Sequence, residues 1–322
     1  MNELLREVEQ IESDICKLAN NIWNHNELSL DEIKSSQELA KFLSDNGFTL
    51  SDPGIGGLDT SWIATWNNGG STIGFTAEYD ALPNLGNDNK PHKCVRQDGS
   101  TNGHGCGHNL IGAAAVGAGV VLKRYLEKKA LKGTIKVFGC PAEELLTGKN
   151  YMAKAGAFND LDACLHFHPF PHTTVINVRT TAYKSMYVEF KGTASHSGVA
   201  PWLGRSALHA VEIFLHGVNV MREQMVPESR LHYVIQSGGS AANIIPDYSK
   251  INIVYRGPDA ENVSKYTSWI HKIAEGAALI TETKSIVTDI CACYDLLPNQ
   301  VLADCISKHL LALGAPKWTD EE

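Results

Sequence analysis

The hydrophobic positions of this chain fall into two successive rhythms. Over residues 2–24 and again over 31–46, where Ile33, Leu39, Phe42 and Leu43 stand near helical spacing, apolar residues predict two amphipathic helices. Two strand-like runs follow, SWIATW (61–66) and STIGFTAEYD (71–80), parted by the turn signal Asn-Asn-Gly-Gly. A loop rich in Gly, Asn, His and Pro runs from Pro83 to Gly107, and Asn109 then predicts a cap for an Ala/Gly-rich helix ending near Lys128. GTIKVFGC (133–140) reads as a buried strand, residues 150–157 as a short helix and DACLHF (162–167) as another strand. Strands separated by helices predict an α/β sheet covered on both faces. In such sheets functional side chains lie just beyond the carboxyl ends of strands, where AEYD, PAEE and HFHP fall.

The second rhythm begins near Tyr183. SMYVEFKG (185–192) alternates as a strand, and SALHAVEIFLHGVNVM (206–221) sets Leu208, Val211, Leu215 and Val218 on one helical face. LHYVIQSG (231–238) and KINIVYRG (250–257) read as strands, residues 259–277 as a helix and KSIVTDIC (284–291) as a strand. The order is β-α-β-β-α-β, the pattern of a ferredoxin-like module, over about residues 183–295. Flanking segments of the other type predict that it is inserted into the first domain, which occupies 1–182 and resumes at 296–322 with a helix near Pro298.

Composition narrows the picture. A length of 322 residues predicts two domains, and 43% hydrophobic against 20% charged residues excludes a disordered chain. The formal net charge of −8 argues against broad nucleic-acid binding, which needs a basic footprint. No apolar run approaches the ~18 residues of a membrane helix, and the acidic, helical N-terminus is unlike a signal peptide. Eight cysteines without a regular framework read as reduced thiols of a cytoplasmic protein.

Three segments concentrate metal-binding side chains: NGHGCGHN with His104, Cys106 and His108, CPAEE with Glu143 and Glu144, and LHFHP with His166 and His168. Imidazole, thiolate and carboxylate together suit zinc or another first-row divalent ion. Cys106 and His108 stand two apart in a glycine-rich turn before a helix N-terminus, whose positive end favours a thiolate. The adjacent glutamates can divide two tasks, one on the metal and one as a base that moves a proton to a leaving amine. Cys140 and Cys164 lie in strand-like runs and read as packed thiols, while His209, His216 and His271 read as surface or satisfied helix residues.

AEYDALP (77–83), NGHGCGHN (102–109), GCPAEE (139–144) and the His168-Pro169 pair, in this order, resemble the successive motifs of the co-catalytic metallopeptidase family M-20, subfamily D. The resemblance continues through KGTASHSGVAPWLGRSALHAV (191–211) and AANIIP (241–246). It is strongest toward the branch of the B-type aminobenzoyl-glutamate hydrolases with their aminoacylase-like relatives. It implies a catalytic domain with a mixed sheet flanked by helices and an inserted lid or dimerisation domain. By position it implies Cys106, His108, Glu144 and His168 as metal ligands, with His108 bridging, and Glu143 as general base. It implies that Asp80 supports the site from behind, as carboxylates behind a ligand do. The resemblance also implies that His196 helps polarise the scissile carbonyl, often across a dimer interface, and that Asn243 and Arg256 contact substrate, an Arg being suited to a substrate carboxylate, although Arg256 reads equally as a surface strand residue.

The implied activity is hydrolysis of the amide of N-acyl or aminobenzoyl amino acids or dipeptides by a metal-dependent homodimer. Mn2+ is expected on family grounds, with Zn2+ or Co2+ as alternatives. One departure qualifies this. The family continues beyond the inserted domain to the rest of the catalytic sheet and a final histidine ligand, whereas this chain stops at TDEE, and His309 lies on a helix. The expectation is therefore a C-terminally shortened chain, with a second metal held only if that ligand is supplied, and with exposed sheet edge and apolar surface. The competing expectation is a non-catalytic dimerisation or binding fragment.

Overall fold

The computed structural model describes residues 2–320 and divides into two compact units, 1–172 and 173–322. The first opens with helices α1 (Asn2–His25) and α2 (Ile33–Asp45), followed by strands β1 (Thr49–Leu50), β2 (Trp62–Asn67) and β3 (Thr72–Glu78). Helix α3 (His108–Lys128), β4 (Thr134–Cys140), α4 (Gly148–Lys154) and β5 (Ala163–Leu165) complete it. The sheet order is β1-β2-β4-β3-β5. It is mixed, with β3 parallel to β4 and β5 and the remaining pairs antiparallel.

Helices cover both faces. Ile22, Leu39, Val116, Ile135 and Val137 are buried where α1, α2 and α3 meet the sheet, and Phe138, Cys140 and Met152 are buried on the α4 side. Each such side chain contributes roughly 1.5–3 kcal/mol by leaving water. Gly112 explains how α3 lies so close: a Cβ there would stand 2.7 Å from the carbonyl oxygen of Glu78. The pairing of Glu78 with Cys140 sets the carboxyl ends of β3 and β4 level, so Asp80 and the Pro141–Glu144 turn emerge side by side.

The second unit contains β6 (Ala182–Lys191), β7 (Ser195–His196), α5 (Ala207–Arg222), β8 (Arg230–Ser237), β9 (Ile244–Ile245), β10 (Tyr248–Gly257), α6 (Ala260–Thr281), β11 (Lys284–Cys293) and α7 (Gln300–Leu313). Its main sheet is antiparallel, in the order β11-β6-β10-β8, with β7 and β9 forming a separate two-stranded ladder. Alternate residues of β10 (Ile251, Ile253, Tyr255) are buried with Val188 and Phe190 of β6 against α5 and α6. The buried face of α5 is Ala207, Ala210, Val211, Phe214, Val218 and Met221, so Leu208 and Leu215 flank the expected stripe instead of centring it. Helix α7 is mostly exposed, with Ala303 its buried residue. No helix among the described residues is long and apolar enough to cross a membrane.

Candidate metal centre

The centre is built at the carboxyl ends of β3, β4 and β5, from the start of α3 and the loops that follow these strands. His108 is the first residue of α3, and Gly107 before it, not Asn109, makes the entry. Gly107 has φ +82, and a Cβ there would stand 2.7 Å from Pro169 Cγ, so this turn requires glycine and brings the His168-Pro169 segment close. Asn109 is buried and its side-chain amide donates to the Ala19 carbonyl of α1.

Each imidazole has its orientation set by the nitrogen that does not face the centre. His108 Nδ1 lies 2.9 Å from Asp80 Oδ1 and 3.0 Å from the Asp80 carbonyl, which leaves Nε2 buried with no hydrogen-bond partner. His168 donates from Nδ1 to the Pro169 carbonyl at 2.8 Å, and its Nε2 lies 3.3 Å from Cys106 Sγ. Cys106 Sγ and one nitrogen each of His108 and His168 all lie within 4.8 Å of one another. Because only Nε2 of His108 is free, and one lone pair holds one ion, His108 cannot bridge two metals; a thiolate such as Cys106, with several lone pairs, can.

Carboxylates close the rest of the wall. Around His108 Nε2 stand Glu78 Oε2 at 3.4 Å, Glu143 Oε2 at 3.6 Å and Glu144 Oε1 at 3.8 Å. Glu78, His108 and Glu143 form a second group able to hold an ion. Asp80 Oδ2 accepts from Ser29 Oγ at 2.7 Å and from the Glu144 amide at 3.0 Å, so one carboxylate fixes both an imidazole and the glutamate turn. That turn is strained: Ala142 has φ +52, and its amide donates to the buried Glu32 carboxylate at 2.7 Å.

Burial and charge together shift the titration of these groups. Burial opposes the imidazolium of His108, but Asp80, Glu78 and Glu143 outweigh it and raise its pKa to about 9. Burial raises the Cys106 thiol to about 12, with Glu144, Glu143 and Glu78 adding to the effect. Burial first, and the carboxylates after it, thus hold Cys106 as a thiol, contrary to the thiolate expected at a helix N-terminus. Burial likewise raises Glu143, Lys149 and His108 partly opposing it. A donor set of sulfur, nitrogen and oxygen with buried orphan atoms on His108, Glu78 and Glu144 fits a divalent metal.

In the first unit, His104 and His166 have partners of their own. His104 turns to the Ile22 carbonyl at 3.1 Å, and burial lowers its pKa to about 4, so it braces α1 as a neutral ring. His166 pairs with Thr76 Oγ1 through Nδ1 at 2.8 Å. Cys164 is exposed, whereas Cys140 is buried as expected. In the second unit His196 pairs with Ile244 across β7 and β9, and the Ser197 amide donates to the Asn243 carbonyl at 3.0 Å, so His196 and Asn243 are neighbours. Arg256 stands eight residues beyond Tyr248 on β10, roughly 27 Å along an extended strand. There it stacks on Tyr183 at 4.7 Å, so within this unit it does not share a substrate end with Asn243.

A zinc-type donor cluster at the mouth of a mixed α/β sheet defines the class as a metallohydrolase-like centre. The chain belongs to peptidase family M20/M25/M40, whose family description matches residues 74–296, and it is a hydrolase of amide bonds. It is 37% identical over 330 residues to the B-type p-aminobenzoyl-glutamate hydrolase polypeptide of Escherichia coli K12, covering 100% of this chain and 68% of that protein. It is 32% identical over 314 residues to the Xaa-Arg dipeptidase of Mus musculus, covering 92% and 68%. Among solved structures, an aminobenzoyl-glutamate utilization protein from Klebsiella pneumoniae superposes with a TM-score of 0.75 at 21% identity, over 95% of this chain and 82% of that one. A dinuclear metal-binding peptidase of the M20 family from Bacillus subtilis gives a TM-score of 0.65 at 19% identity, over 95% and 81%. These two likenesses establish the α/β fold.

Sequence reasoning passed over Glu78, Lys149, Glu32 and Ser29. Only Glu78 carried a signal. It stands two residues before Asp80 at a strand end, and strand residues two apart share a face.

Proposed function

We propose that this chain is a metal-dependent amidohydrolase that cleaves the amide of N-acyl or aminobenzoyl amino acids or of dipeptides. The observation that carries the reading is the convergence of Cys106, His108 and His168 within 4.8 Å, with Glu143 beside them. Cys106, His108, Glu144 and His168 would hold the ion, Mn2+ being our choice and Zn2+ or Co2+ the alternatives. A divalent ion in such a site polarises a carbonyl and lowers the pKa of water.

The chain's own residues supply the rest. Asp80 keeps the free nitrogen of His108 aimed at the centre. Glu143, partly open to solvent, takes a proton from the attacking water and returns it to the leaving amine, so water and amide become acid and amine. His196 and Asn243 would meet the scissile carbonyl and the substrate from a ferredoxin-like lid over residues 183–295, inserted in a catalytic domain spanning 1–182 and resuming at 296. The free edge of β8, with exposed Val234 and Ile235, supports a role for this lid in homodimer formation. The eight cysteines agree with a cytoplasmic setting.

The test is Glu143→Ala assayed on N-acyl amino acids with elemental analysis of the same sample. The reading predicts lost turnover with unchanged metal content. Retained turnover would reject Glu143 as the base, and a metal-free, inactive native chain that still dimerises would favour a non-catalytic module.

A further inference from the structure

We infer that Glu78 is an additional ligand of the cation at His108, with Lys149 setting which of its oxygens faces the ion. The inference rests on the metal-centre reading above and assigns a residue that the family likeness left out. Glu78 is 2% exposed and its two oxygens have different surroundings. Oε1 accepts from the Lys149 ammonium and lies 3.6 Å from His166 Nε2. Oε2 is buried without a hydrogen-bond partner and points to within 3.4 Å of His108 Nε2, itself buried and without one.

Two orphaned electron-pair donors facing each other in a buried pocket cost desolvation free energy that neither recovers from the other unless a proton or a cation lies between them. An ion on the one free nitrogen of His108 is therefore within reach of Glu78 Oε2. Of the three carboxylates around that nitrogen, Glu78 is set apart by access, since Glu144 and Glu143 are both partly open. Glu78 is nearest and closed to water, which suits a ligand, whereas the Glu143 side chain is 28% exposed, which suits a group exchanging protons with water. Lys149, projecting from the start of α4, engages Oε1 and so presents Oε2 to the centre. This is how a neighbour of a ligand commonly fixes its orientation.

The experiment is calorimetric titration of Mn2+ into the full chain, into Glu78→Gln, and into the double variant Glu78→Gln/Lys149→Met, with circular dichroism to verify the fold. The double variant leaves no unpaired ammonium and carries the test if the single variant fails to fold. The inference predicts Mn2+ binding weaker by about tenfold or more in each folded variant. Affinity within threefold of the native chain in either folded variant overturns it while leaving the metal centre standing. If Glu78 is only the counter-ion of Lys149, the single variant loses thermal stability, the double variant regains it, and Mn2+ affinity stays level, which also overturns the inference. A native chain that binds no Mn2+ overturns the metal-centre reading and this inference together.

Discussion

Asp80 holds His108 with one carboxylate oxygen, 2.9 Å from Nδ1, and holds the Glu144 amide with the other at 3.0 Å. A single buried side chain thereby connects the start of α3 to the turn after β4, two of the places from which donors reach the centre.

Asp80→Asn removes the charge that orients the imidazole while keeping its shape. Cation affinity should fall about 10- to 100-fold, the usual cost of losing a carboxylate behind a metal-bound histidine. Calorimetric titration with Zn2+ checks this; an unchanged affinity would contradict the assigned role.

Cation binding should strengthen steeply as pH rises. With His108 at about 9 and the Cys106 thiol at about 12, both carry protons at neutral pH that an incoming ion must displace. Titration at pH 7 in buffers of different ionisation enthalpy should show about two protons released per ion at these ligands. The cation-free chain responds in the opposite sense. A folded pKa raised from 6.5 to about 9 gives stability that is complete below about 6.5 and is lost as pH rises through about 9. Urea unfolding across that window measures it.

Glu32→Ala should destabilise the cation-free fold by roughly 2–3 kcal/mol, because the Ala142 amide and the Thr60 hydroxyl lose a buried carboxylate acceptor. Ala142→Gly should be neutral or stabilising by up to ~1 kcal/mol, since φ +52 strains alanine and not glycine. Chemical denaturation of both variants tests the pair; a stabilised Glu32→Ala would contradict it.

The parts legible in the sequence are those written locally. Helical and alternating periodicities located α1, β6 and β10 to within a few residues, because burial of one face dominates their stability. Cys106 and His108 were legible because ligand chemistry concentrates in short segments at strand ends, whereas His168 was told from His166 only through the family resemblance. Glu32 was not, since its partner Ala142 is 110 residues away and nothing near either residue signals the pairing. His104 looked like a ligand by composition, but its direction depends on α1, which is supplied by a distant stretch of chain. Arg256 fits a substrate-contact motif, yet strand register alone determines which end of β10 it occupies. The β7–β9 ladder, two residues on each strand, is too short to leave a period at all.

On the proposed function, the thiol of Cys106 coordinates an ion together with His108 and His168. The most direct measurement of this is the optical spectrum of the full chain titrated with Co2+, alongside Cys106→Ser. The expected result is a thiolate-to-cobalt charge-transfer band that saturates with binding and is absent in the serine variant. Cobalt bound with no such band, or the same band in both proteins, would contradict it.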